Sequence, residues 1–183
     1  MDKIVTKRLA LRALSMNDCQ DVFEYAKLDS VGPQAGWQPH KSLEETKRIT
    51  EWMISTKEVY GIQHLEDEKI IGTIGLHRKD YLSTEGEIGY VLNPQYWHKG
   101  YMHEAVVALI IAAFEQFGIE KLYCAHFSDN EKSMNVIKKA GFKKVKEEIK
   151  KITLYGFEIV KTSVKYELDK SHYERKLLPW QQR

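Results

Sequence analysis

The chain has 183 residues, and 28 basic against 26 acidic side chains leave it close to neutral. With 43% hydrophobic and 30% charged residues it has the composition of a folded domain, not of a disordered or fibrous chain. Near-neutrality removes the basis for general nucleic-acid binding, and no apolar run approaches the ~20 residues of a membrane-spanning helix.

Along the chain, Arg8 to Leu14 alternates polar and apolar residues as a half-buried strand does. Ser15-Met16-Asn17-Asp18 resembles a capping box, with Val22, Phe23 and Ala26 as the apolar stripe of the helix behind it. Gly32-Pro33 and Gly36 break the chain. Ser42-Leu43-Glu44-Glu45 is a cleaner capping box and opens a second helix, with Ile49, Trp52 and Met53 on its inner face. Val59 to Leu65 and Lys69 to His77 flank the polar turn Glu66-Asp67-Glu68, the pattern of an antiparallel hairpin. Gly86 to Leu92 reads as a further strand, stopped by Asn93-Pro94. The longest helix is expected over Tyr101 to Phe117, with Gly118 after it, then a strand over Lys121 to Phe127 and a helix over Glu131 to Ala140 ended by Gly141. Lys143 to Thr153 and Phe157 to Leu168 read as two strands joined near Tyr155-Gly156. This order predicts one α/β (α+β) domain over residues 1–168 with a mixed, mostly antiparallel sheet, followed by a tail over 169–183 that carries Trp180.

The segment from Gly86 to Ala105 runs from a strand through a turn containing Gly100 into the long helix. The first turn of a helix leaves backbone N–H groups unpaired at the positive end of the dipole, which suits a phosphate or pyrophosphate. Glycine there lets a ligand approach the backbone with no Cβ in the way. On its own, a strand, a glycine and a helix need no ligand. The second informative segment is Asn130-Glu131-Lys132-Ser133-Met134-Asn135-Val136-Ile137-Lys138-Lys139-Ala140-Gly141-Phe142.

Together these segments resemble the GNAT acetyltransferase superfamily, in the branch that includes ribosomal-protein N-terminal acetyltransferases. That branch has a strand like E-I-G-Y-x-L, then P-x-Y-W-G-K-G-Y-A-x-E-A, and later N-x-x-S-x-x-V-x-x-K-x-G-F. The opening Thr6-Lys7-Arg8-Leu9-Ala10-Leu11-Arg12 fits its T-x-R-L-x-L-R, and Gly36-Trp37-Gln38-Pro39-His40 fits ahead of the Ser42 cap. The resemblance implies a single GNAT-like domain with splayed middle strands, using acetyl-CoA as cosubstrate and an amine, either a protein N-terminus or a small amine, as acceptor. It places Tyr90, Val91 and Leu92 along the pantetheine arm, which pairs with exposed backbone like an added strand. It rests the pyrophosphate on the amides of His98, Lys99, Gly100, Tyr101, Met102 and His103. It sets Asn130 near the pantetheine, Ser133 near the thioester sulfur and Trp37 at the wall of the acceptor pocket. Homodimers are frequent in the family, so self-association is an expectation carried by the resemblance alone.

His98 stands where the family has glycine, and Met102 where a small residue is usual. A Cβ at residue 98 is tolerated if its φ is negative, with His among the less penalised types otherwise. Met102 is flexible enough to turn away from a phosphate. Neither change removes a backbone N–H.

Acetyl transfer to an amine needs a neutral nucleophile, a polarised thioester carbonyl and a proton for the leaving thiolate. Glu87, at the acidic position of E-I-G-Y, is the candidate base, and Ser133 the candidate proton donor. The bland alternatives are a structural carboxylate and a local helix cap. Glu85 and Asp80, in the connection before the central strand, are candidates for attracting a cationic acceptor, against a plain surface role.

The remaining residues speak for less. His98 and His103 have no metal-ligand spacing, and no H-E-x-x-H or paired C-x-x-C is present, so no metal is expected. His64, His77 and His126 read as packing or surface residues, and Cys124 as a buried strand residue. With only Cys19 and Cys124, and no signal-peptide core in MDKIVTKRLALR, the expected setting is the cytoplasm, with reduced thiols and no membrane. Lys138 to Lys151 holds seven lysines against two glutamates, a solvated face or a site for a phosphate-bearing partner. Two further readings stay open: a CoA-responsive module without catalysis, and a protein-interaction role for the lysine run or the Trp180 tail.

Overall fold

The computed structural model of the chain describes residues 3–80 and 82–177, the last four as backbone only. Two short antiparallel strands open it, β1 (Ile4–Val5) and β2 (Leu9–Ala13). Helix α1 (Cys19–Ala26) follows. Its lead-in is anchored by Asp18, which accepts from the Ser15 backbone N–H at 2.7 Å and from both ends of the Arg12 guanidinium at 2.8 and 2.7 Å. The Gly32-Pro33 segment does not simply break the chain. It forms a one-turn helix, α2 (Gly32–Ala35), because proline in the first turn forfeits an N–H that has no helical partner.

Helix α3 (Leu43–Thr56) starts as expected, with the Ser42 hydroxyl accepting from Glu45 N at 3.2 Å. Its inner face differs from the expectation. Thr46 and Thr50 are fully buried, whereas Trp52 is 60% exposed. At 100° per residue, Trp52 lies about 200° around the helix from Thr50, so both cannot face the sheet.

Then come β3 (Val59–His64), β4 (Ile70–Arg78) and β5 (Glu85–Leu92), paired antiparallel in succession. Helix α4 (Tyr101–Glu115), two residues shorter than expected, leads to β6 (Lys121–Phe127), and α5 (Glu131–Lys139) to the long hairpin β7 (Lys143–Leu154) and β8 (Phe157–Asp169). The tail continues as α6 (Lys170–Leu177), and the Tyr173 ring lies 5.3 Å from that of Phe114 in α4. Trp180 lies outside the described residues.

The sheet order is β1-β2-β3-β4-β5-β6-β8-β7, antiparallel throughout except for the parallel pair β5–β6. This is the expected α/β class with a mixed, mostly antiparallel sheet. Helices α4 and α5 cover one face, where Leu109, Phe114 and Ile137 meet Ile62, Ile88 and Leu122. The smaller core on the other face joins Val22 and Tyr25 of α1 to Leu14, Val59 and Ile70. Residue parity along β5 therefore decides which face a side chain serves.

Candidate active site

Strand β5 has β4 along one edge for its whole length, from Arg78↔Gly86 to Gly72↔Leu92. Along the other edge it pairs with β6 only from Glu85↔Lys121 to Ile88↔Cys124. Beyond Ile88 the two strands separate: Tyr90, Val91 and Leu92 stay on β4 while Ala125 to Phe127 follow β8. The gap leaves the β6-facing edge of β5 beyond Ile88 without a strand partner and open to an added extended chain, the Leu92 carbonyl excepted, which accepts from the Trp97 indole. On the paired edge β4 and β5 run close at Gly72, where a Cβ would lie 2.3 Å from the Val91 carbonyl oxygen.

The chain leaving β5 turns back through Asn93, whose side chain accepts from Gln95 N at 3.1 Å, and Trp97, whose indole N–H donates to the Leu92 carbonyl at 2.8 Å. It enters α4 through Gly100, at φ 79°, and the first intrahelical bond runs from Glu104 N to the Gly100 carbonyl at 3.1 Å. Helix geometry leaves the amides of Tyr101, Met102 and His103 without an intrahelical acceptor and aims them beyond the helix end. Met102 is turned into the core at 6% exposure, as its flexibility allows.

Of the two cases open for His98, the structure takes the one with positive φ. It sits at φ 62°, so a histidine occupies the left-handed conformation that glycine takes without penalty. A groove of about 450 Å³ beside this turn is lined by Arg8, Gly100, His103 and Lys139, among others. His103 Nδ1 is buried without a hydrogen-bond partner, and burial followed by the charge of Lys139 holds its pKa down. Glu104, which Arg8 pairs, also lines the groove, so a phosphorylated ligand there would meet the helix start, the spare His103 nitrogen and Lys139.

On the α4–α5 face, Tyr90 and Ser133 meet. Their hydroxyl oxygens are 2.9 Å apart. Burial pushes the Tyr90 phenol up, so it remains protonated and able to donate. Ser133 is no free cap: Asn130 caps α5 by accepting from Ser133 N at 3.1 Å, which leaves the Ser133 hydroxyl for Tyr90. Lys132 Nζ, one residue earlier, lies 4.1 Å over the Trp97 ring and links α5 to the turn after β5.

The opposite face carries Glu87, exposed and directly across from His77 of β4. His77 Nδ1 is 2.9 Å from Glu58 Oε2. Tyr123 of β6 is the register partner of Glu87 on the other side, with Lys165 Nζ 4.1 Å over its ring. Trp37 packs with Val91 in the smaller core on this same face, and its ring is held against Gly32, where a Cβ would meet it at 2.7 Å. Glu85 belongs to β5 itself rather than to the connection, and Asp80 caps the turn by accepting from Leu82 N at 3.0 Å.

The structure therefore brings Tyr90, Ser133 and Asn130 together, and Glu87 and Trp37 onto the other face. The tyrosine–serine pairing and the Glu58–His77 pair were not visible in sequence. The only clue was the parity of Glu87 and Tyr90 in one strand.

Other candidates are accounted for elsewhere. His64 Nε2 bonds the Tyr101 hydroxyl at 2.9 Å and His126 Nδ1 the Phe127 carbonyl at 2.7 Å. Cys124 is buried, which pushes its thiol up. Lys144, Lys146, Lys150 and Lys151 all pair with glutamates of the hairpin, which makes that part of the lysine run a solvated face. Among the described residues no cluster is suited to a metal ion, and no helix is long and apolar enough to cross a membrane.

A parallel pair opened beside a helix start, with hydroxyls on one face of the strand and a carboxylate on the other, suits acyl transfer between molecules arriving from opposite sides. The chain matches the acetyltransferase (GNAT) domain over residues 8–143, and it belongs to that family of N-acetyltransferases. It is 27% identical over 144 residues to the "Uncharacterized N-acetyltransferase YoaA" of Bacillus subtilis, covering 76% of this chain and 81% of that one. It is also 27% identical over 145 residues to the "Putative ribosomal N-acetyltransferase YdaF" of the same organism, covering 75% and 79%. In fold it is similar to a GNAT-family acetyltransferase from Bacillus anthracis, with TM-score 0.83 and 21% identity over 93% of this chain and 99% of that one. Spermidine N-acetyltransferase from Vibrio cholerae, solved with CoA and spermine, superposes at TM-score 0.78 with 16% identity over 92% and 99%.

Proposed function

We propose that the chain moves the acetyl group of acetyl-CoA onto a primary amine by direct attack in a ternary complex, with a protein N-terminal α-amine as the acceptor. One observation carries the reading: where β5 parts from β6, Tyr90 and Ser133 stand on one face of the strand and Glu87 on the other. Acetyl-CoA supplies the activated acyl group. The free edge at Tyr90, Val91 and Leu92 pairs its pantetheine arm. The amides from His98 through His103, with Lys99 beside them, hold the pyrophosphate. Asn130 borders the arm and orients Ser133, whose hydroxyl, backed by Tyr90, gives the leaving sulfur its proton.

On the acceptor face Glu87 draws in the amine and removes its proton, while Trp37 walls the pocket. A terminal α-amine with pKa about 8 is already roughly a tenth neutral at pH 7, whereas a lysine amine near 10.4 is almost wholly charged. One exposed carboxylate acting through water is enough for the first and poorly matched to the second. The named ribosomal relative favours a protein acceptor; the spermidine enzyme makes a polyamine the acceptor to test against it.

A second reading, a CoA-responsive module without catalysis, has His98 in its favour, because a side chain occupies a glycine conformation in the phosphate turn. Calorimetric titration with acetyl-CoA, paired with thiol release in the presence of a free-α-amine peptide or spermidine, separates the two. Micromolar binding, about −8 kcal/mol, with turnover on the peptide is the expected result. Binding without turnover on either amine leaves the module, and no binding at millimolar ligand overturns both. A Glu87→Gln variant should lose most rate at low pH, where the amine is hardest to deprotonate.

A further inference from the structure

An amine that arrives as an ammonium ion must shed two protons to become an amide, one before attack and one as the new bond forms. Glu87 accounts for one. The acceptor face holds a second pair able to receive the other. His77 Nδ1 lies 2.9 Å from Glu58 Oε2, with side-chain exposures of 46% and 36%, so both are reachable from solvent.

The position of the other ring nitrogen is set by two glycines. The imidazole leans back along β4 so that a Cβ at Gly75 would fall 2.7 Å from His77 Nε2, and one at Gly89 would fall 3.6 Å from it. Gly75 and Gly89 are register partners, as are His77 and Glu87. Nε2 therefore lies over the Gly75–Gly89 pair, nearer Gly75, and the pairing of β5 with β6 ends at Ile88, next to Gly89. A carboxylate at Nδ1 favours the tautomer with the proton on that nitrogen and leaves the Nε2 lone pair free.

We propose that His77, oriented by Glu58, is the base that takes the proton released as the amine attacks, and that Glu87 serves the earlier deprotonation. This rests on the acetyl-transfer reading above. As the amine nitrogen bonds to the acyl carbon and the carbon–sulfur bond breaks, one proton passes from nitrogen to His77 Nε2. The thiolate receives a different proton, relayed through Ser133 Oγ on the far face, and Ser133 takes one back from solvent through the Tyr90 hydroxyl, so the serine ends the cycle neutral. His77 then returns its proton to solvent through the exposed edge of the ring. Among the described residues, the charged and titratable groups on this face beside the imidazole are Glu58, ahead of β3, and Glu87 of β5, with Tyr123 of β6 and the Lys165 amine over its ring beyond Glu87. Glu58 is a positioning residue, since it acts only through His77.

Two measurements test this. Long-range proton–nitrogen NMR on the intact protein, with His77→Gln for assignment, should show the Nδ1–H tautomer, and Glu58→Gln should weaken that preference. An Nε2–H tautomer in the wild type overturns the proposal whatever the activity. The second measurement is the pH dependence of kcat/KM for the free-α-amine peptide and spermidine, alongside acetyl-CoA titration. His77→Gln should lower kcat/KM about 100-fold and remove the histidine limb of the profile, with acetyl-CoA affinity within two-fold of wild type. Glu58→Gln should lose about ten-fold, which keeps the test alive if His77→Gln folds poorly. A His77→Gln enzyme with wild-type rate and profile overturns the base assignment alone and leaves acetyl transfer standing. A wild type that binds acetyl-CoA but acetylates neither amine overturns acetyl transfer, and the base assignment falls with it.

Discussion

Arg8 Nε donates to Glu104 Oε2 at 2.7 Å while the Arg8 backbone N–H donates to Glu104 Oε1 at 2.9 Å, a clasp across 96 residues of chain. The Thr6 hydroxyl adds a third donor at 2.6 Å. The same guanidinium reaches the Lys99 carbonyl at 2.9 Å and lies 4.4 Å over the Tyr101 ring. Arg8, which the alternation places first in the strand Arg8 to Leu14, thus lies outside it. Together with Thr6 it braces the turn that leads into α4.

Replacing Glu104 with Gln should cost about 1.5–3 kcal/mol in urea unfolding, because it removes charge-assisted bonds from a partly buried cluster. Burial pushes the Glu104 carboxyl up, but bonds from Thr6 and Arg8 outweigh it and leave it below its ordinary 4.5. A depressed carboxyl contributes stability above its unfolded value and loses it as pH falls through the folded one. Wild-type stability should therefore fall below about pH 4.5, and Glu104→Gln should flatten that decline.

Ser133→Ala should lower kcat about 10–100-fold with acetyl-CoA affinity nearly unchanged, since it removes a proton donor and no phosphate contact. Tyr90→Phe should produce a smaller loss in the same direction. Stopped-flow turnover set beside calorimetry reads both, and full activity in Ser133→Ala would remove the donor assignment.

Gly72→Ala should destabilise by about 1–3 kcal/mol and weaken acetyl-CoA binding. The added carbon would fall 2.3 Å from the Val91 carbonyl oxygen and 3.1 Å from Leu92 Cα, both backbone atoms of the stretch of β5 that runs past the end of the β6 pairing. Thermal melts and titration of the same variant check the two effects together. A stable variant with normal affinity would show that the edge yields freely.

His98 holds a left-handed backbone at the cost of a side chain that disfavours it. His98→Gly should be about 1 kcal/mol more stable than His98→Ala, the variant that keeps a Cβ without histidine's tolerance of this region. Equal melting temperatures for the two would show that the turn relaxes.

Much of the strand and helix order follows from local pattern. The strand Lys121–Phe127 has the bounds its sequence predicts, and Ser42 caps α3 through Glu45 N. Local chemistry suffices there because alternation and capping involve neighbours in the chain. Trp52 shows where it fails: an aromatic residue in an amphipathic helix reads as core, yet the packing of α3 buries Thr46 and Thr50 instead. Likewise His77 reads as an ordinary strand residue, since nothing near it in sequence announces Glu58 as a partner or Glu87 as its opposite.

The sequence by itself determined the family, the order of the elements and the glycine-led start of α4, because each is written in contiguous motifs. Only the tertiary structure decided which groups meet. The end of β5–β6 pairing at Ile88, the 2.9 Å contact of Tyr90 with Ser133 and the placing of His77 against Glu58 all depend on strand register and on how helices seat against the sheet. Those are settled by packing among residues far apart in the chain, where a shift of one position turns every side chain of a strand to the other face.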